Sequence, residues 1–63
     1  MNDYMRAIES VADKRHLRLM NAGLTEKEAA QKVVLYLSSL LNKWQRSTDV
    51  QHFIKCLIKA YSN

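Results

Sequence analysis

A chain of 63 residues is close to the shortest in which one hydrophobic core holds without disulfides or a structural metal, so a single domain spanning 1–63 is the ceiling. Apolar residues at 48% and charged residues at 25% place it among globular proteins and exclude a disordered chain. The net charge of +4 permits attraction to an acidic partner, but residues 1–23 carry four basic and three acidic side chains, 24–46 four and two, and 47–63 two and one, which excludes a concentrated basic arm.

The single cysteine, Cys56, cannot close an internal disulfide, and no Cys/His cluster has the spacing of a zinc site. No metal or cofactor is therefore expected, and a reducing cytoplasm is the natural compartment. The opening residues MNDYMRAIES are charged and lack an apolar export segment, while the longest near-apolar run, Val33 to Leu41, is too short to span a bilayer. Neither export nor membrane insertion is expected. With no proline and one glycine, Gly23, the chain reads as all-α, a compact three-helix domain joined by short turns.

The first helix is predicted over about 3–21, with Asn2 or Asp3 as its N-cap. Its apolar positions are Met5, Ile8, Val11, Ala12, Leu19 and Met20, at the spacings one helical face requires. Arg15 and His16 interrupt that stripe, so either the helix leaves the core there or the arginine stem covers it. Asn21-Ala22-Gly23 supplies a left-handed stop.

The second helix, about 26–45, opens on the clearest local signal, Leu24-Thr25-Glu26-Lys27-Glu28. Thr25 is placed to cap it, Glu28 to close a capping box, and Leu24 to act as the staple. Its apolar residues, from Ala29 to Trp44, cover more than the third of the surface that one core needs. The run Val33 to Leu37 has β propensity, but the helical spacing of Ala30, Val33, Leu37, Leu40 and Trp44 favours a helix. The third helix, about 49–61, follows a cap at Ser47, Thr48 or Asp49 and turns Val50, Phe53, Ile54, Leu57, Ile58 and Tyr61 inward. Gln51, His52, Lys55, Lys59 and Ser62 occupy its polar side.

No catalytic constellation emerges, so a non-enzymatic role is expected. His16 and His52 fall on separate helices, and no metal pair or charge relay is expected of them. Asp13 and His16, three apart, read as a solvated surface pair, and Cys56 beside Leu57 and Ile58 reads as a buried small hydrophobe. The stretch Gly23-Leu24-Thr25 before Glu28-Ala29-Ala30 has some character of a helix-turn-helix turn. Aligned on Gly23, however, Leu19 fills the small-residue place and Lys32 an apolar one, and the recognition helix would be Val33, Val34, Leu35, Leu37 and Leu40 where base readout wants polar side chains. Phosphate contacts through Lys14, Arg15 and Arg18, or Lys55 and Lys59, are the nucleic-acid alternative.

The apolar surplus on the second helix points instead to protein contacts, with Val34, Leu35, Leu41 and Trp44 as the expected interface and a homodimer or a docked partner helix as its occupant. The competing expectation is that the first and third helices cover this surface within one chain.

From Met1-Asn2-Asp3-Tyr4-Met5-Arg6 through Leu24-Thr25-Glu26-Lys27 to Ala60-Tyr61-Ser62-Asn63, the chain resembles the short early proteins that lambdoid bacteriophages encode between their exonuclease and excisionase genes. The likeness extends over the full length and rests on overall sequence and size, without a catalytic or binding motif, so it carries over no functional residue. It implies a regulatory protein of the host bacterial cytoplasm that influences the choice between lysis and lysogeny, with a host or phage protein as partner.

Overall fold

In a computed structural model that describes residues 3–62, the chain forms three α-helices, α1 (Asp3–Asn21), α2 (Glu26–Lys43) and α3 (Thr48–Ser62), with no strand among the described residues. The cap expected at Asn2 lies outside the described residues, and Asp3 is already helical. α2 stops earlier than its apolar pattern suggests, because Trp44 takes the C-cap position, its N–H still donating to the Leu40 carbonyl at 3.2 Å. Ser47 immediately precedes α3: its carbonyl accepts the first helical bond, from the Gln51 N–H at 3.0 Å.

The turn between α1 and α2 follows from its sequence. Gly23 adopts φ 106°, which disfavours any residue with a Cβ. There the Leu24 N–H bonds back to the Leu19 carbonyl at 3.1 Å and the Gly23 N–H to that of Met20 at 3.0 Å, a Schellman stop that satisfies the last carbonyls of α1. One residue later the capping box forms as expected. The Thr25 Oγ1 accepts from the Glu28 N–H at 3.1 Å, and Glu28 Oε1 accepts from the Thr25 N–H at 3.0 Å.

α2 is the central helix. It packs on both neighbours, while α1 and α3 touch each other over a smaller stretch. Tyr4 meets Trp44 and Arg15 meets Tyr36, so α1 runs antiparallel to α2; Gln51 near the start of α3 meets Leu41, and Ala60 near its end lines one groove with Ala30, so α3 does too. The body measures 36 × 18 × 18 Å, under two helix diameters across, and its core is a single file of Ile8, Ala12, Val33, Leu37, Leu40, Val50 and Ile54. Met5, Tyr36, Leu41, Trp44, Leu57, Ile58 and Tyr61 pack against that file from its margins.

One expectation for α1 needs correction, and one pair of alternatives is decided. Val11 and Met20, placed on its core face by spacing, are exposed, because only a narrow strip of α1 reaches α2 and α3. Val11 is one residue from the buried Ala12 and hence about 100° around the helix from it. The interruption at Arg15 and His16 does not turn α1 away from the core. Arg15 lays its guanidinium over the Tyr36 ring, 4.2 Å from the centroid, and the His16 ring rests on that of Tyr61 at 5.4 Å.

Candidate protein-binding groove

The surplus on α2 is largely absorbed within the chain, because a central helix needs an apolar arc wide enough for two neighbours. Of the four residues expected at an interface, Leu41 and Trp44 are half-buried and pack against the core, and Trp44 also meets Tyr4 with ring centroids 5.1 Å apart. Val34 is half-buried as well, but it belongs to a different place. Together with Leu35 it lines an open groove of about 1080 Å³ between the first half of α2 and the last turn of α3. Leu35 is 70% exposed, the most exposed of the large apolar side chains among the described residues. It lies two residues from the fully buried Val33 and Leu37, about 200° around the helix from each, so no neighbour within the chain can cover it.

Ala30 and Ala60 complete the apolar floor, and Glu26, Lys27 and Gln31 edge it from α2. His16 and Tyr61 close the end nearest α1. Tyr61 is fixed there by a hydrogen bond from its hydroxyl to Oδ1 of Asp13, a pairing across 48 residues that spacing alone does not disclose. Asp13 thus pairs with Tyr61, where a surface contact with His16 was expected. Burial, then the hydrogen bond to Asp13, and then the negative charges of Asp13 and Glu9 push the Tyr61 hydroxyl up to about 12.

The cations of the nucleic-acid alternative, Lys14, Arg15 and Arg18 on α1 and Lys55 and Lys59 on α3, are all exposed. They stand on the two helices that share the least contact, and Arg15 is engaged on Tyr36. α2, which would have to serve as a recognition helix, is seated between its neighbours with Val33 and Leu37 fully buried, so its core face is not free to enter a DNA groove.

Cys56, expected to be buried, is exposed. It stands two residues from the buried Ile54, which turns it to the outer side of α3. Its Sγ lies 3.8 Å from Nε2 of His52, one turn earlier. This corrects the expectation that neither histidine has a cysteine three or four residues on: Cys56 stands four residues after His52 on the same helix face. Among the described residues no group of three or more His, Cys, Asp and Glu side chains is arranged to hold a metal, and no helix is long and apolar enough to cross a membrane.

No model of a known protein family, no curated protein and no solved structure matches the chain.

Proposed function

We propose that this chain is a non-enzymatic helical binding module that seats an apolar segment of a partner protein on the groove formed by Ala30, Val34, Leu35 and Ala60. The observation that carries this reading is Leu35, a large apolar side chain 70% exposed at the edge of a concave surface. An amphipathic helix laid along such a groove would bury Leu35 and leave the Glu26, Lys27 and Gln31 rim to polar contacts. The resemblance to early proteins of lambdoid phages supplies the setting: a regulator in the host cytoplasm whose partner is a host or phage protein governing lytic or lysogenic development.

The test is affinity capture from bacterial lysate with the natural chain and with Leu35→Lys, each with and without nuclease. A partner retained by the natural chain after nuclease treatment, and lost with Leu35→Lys while the thermal transition stays in place, is the expected result. Equal capture by both chains overturns the reading. The five exposed cations support a competing reading as a module that binds nucleic-acid phosphates. Titration with random duplex at about 50 mM salt, where counterion release favours binding most, decides it: an absence of binding removes nucleic acid as the partner.

A further inference from the structure

Charge on this molecule is sorted by the seams between its helices. Arg15 on α1 lays its guanidinium over the Tyr36 ring of α2, 4.2 Å from the centroid, and Lys14, Arg15 and Arg18 are all exposed. Arg18 is three residues from Arg15 and four from Lys14, so the three cations occupy adjoining parts of one side of α1. On α2, Lys32 is exposed and stands one turn before Tyr36. Because the two helices run antiparallel, that turn is level with the turn after Arg15, which sets Lys32 across the seam from Arg18.

The carboxylates lie elsewhere. Glu9 and Asp13 of α1 are turned toward α3, where both act on the Tyr61 hydroxyl. Glu26 edges the groove between α2 and α3, Asp49 is in the first turn of α3, and Asp3 opens α1 about three turns before Arg15. Glu28, one turn before Lys32, has its Oε1 engaged by the Thr25 N–H. Among the described residues no ion pair to a carboxylate holds Lys14, Arg15, Arg18 or Lys32.

We infer that the α1–α2 seam at Lys14, Arg15, Arg18 and Lys32 is a binding surface for the phosphate backbone of nucleic acid, engaged without regard to base sequence. It rests on the competing phosphate reading and gives that reading a place, one that leaves out Lys55 and Lys59 on α3. Stacking on Tyr36 holds the Arg15 guanidinium flat, so its N–H groups lie along an open edge and little freedom is lost when a phosphate takes them. A protein interface is depleted of charge at its centre, where it buries apolar area, whereas a phosphate backbone requires cations alone. A patch cationic through its middle therefore fits phosphate better than an acidic protein face.

Fluorescence titration of the full chain with random-sequence duplex, between about 50 and 200 mM salt, tests this. With four phosphates neutralised, the logarithm of the binding constant should fall against the logarithm of salt with a slope of roughly −3.6. Arg18→Gln combined with Lys32→Gln should bring that slope to roughly −1.8, while Lys55→Gln combined with Lys59→Gln should leave it in place. All four positions are exposed, and unchanged far-ultraviolet dichroism confirms that the variants fold. No binding at about 50 mM salt, an equal loss of slope from the α3 pair, or displacement of the duplex by polyglutamate at equal charge concentration each overturns the proposal. None of these results touches the groove, whose reading is decided separately by capture with Leu35→Lys.

Discussion

The Tyr61 hydroxyl donates to the Asp13 carboxylate, tying the last turn of α3 to the middle of α1, the two helices that share the least contact. A hydrogen bond to a charged group is worth more than a neutral one, but this one is reached by solvent, so Tyr61→Phe is expected to cost about 1 kcal/mol. The pH dependence has a definite sign. The folded-state value, about 12, lies above that of a free tyrosine, so the contribution of this hydroxyl is complete below about pH 10. It is lost as the pH rises from there through 12. Denaturant midpoints measured on both sides of this window should fall more steeply with pH for the natural chain than for Tyr61→Phe.

Leu37 and Leu35 stand two residues apart on α2 and should respond oppositely to substitution. Leu37 is fully buried in the core file, and Leu37→Ala should cost about 2–5 kcal/mol, comparable to the whole stability of a domain this small. Loss of a cooperative thermal transition in far-ultraviolet dichroism is the expected outcome. Leu35→Lys should shift the midpoint by no more than a surface change does, about 0.5 kcal/mol either way. A large destabilisation by Leu35→Lys would mean that Leu35 is needed for folding and is not held in reserve for a partner.

The contrast between these residues marks what the sequence could and could not disclose. Helix number and nearly every boundary follow from local signals: Gly23 as the stop, Thr25 and Glu28 as the start, and the absence of proline. Periodicity also found the core positions Val33, Leu37, Val50 and Ile54. It could not divide Val34, Leu35, Leu41 and Trp44 between core margin and free surface, because that depends on which helix is central. A helix flanked on two sides buries an arc that a one-sided amphipathic helix would expose. The pairs Arg15–Tyr36 and Asp13–Tyr61 join separate helices, and no local pattern specifies them. The four-residue spacing of His52 and Cys56, by contrast, stands in the sequence itself.

Gly23 offers a test of backbone strain separated from packing. A Cβ built there meets nothing within 4 Å, so Gly23→Ala introduces no clash and the cost arises from φ 106° alone. The expected destabilisation is about 1–2 kcal/mol. Asn, which tolerates positive φ better, should lose less. Equilibrium denaturation of the two variants checks the order, and a Gly23→Ala chain as stable as the natural one would show that the Schellman turn can relax without penalty.

The capping box gives the last prediction, at acid pH. The Thr25 backbone N–H and then its side chain, both hydrogen-bonded to Glu28, with Lys32 adding a smaller attraction, hold the Glu28 carboxyl below its ordinary value. A depressed folded-state value means that the stabilisation is present above the ordinary glutamate range and is lost as the pH falls through the lower folded value. Thr25→Ala removes the side-chain acceptor for the Glu28 N–H and should cost about 1 kcal/mol at neutral pH. Because the Glu28 carboxylate is favoured partly by that same hydroxyl, the Thr25→Ala chain should also lose less stability between neutral and strongly acid solution than the natural chain does. Parallel acid titrations of the denaturation midpoint decide it: curves that stay a constant distance apart would show that Glu28 protonates independently of its cap.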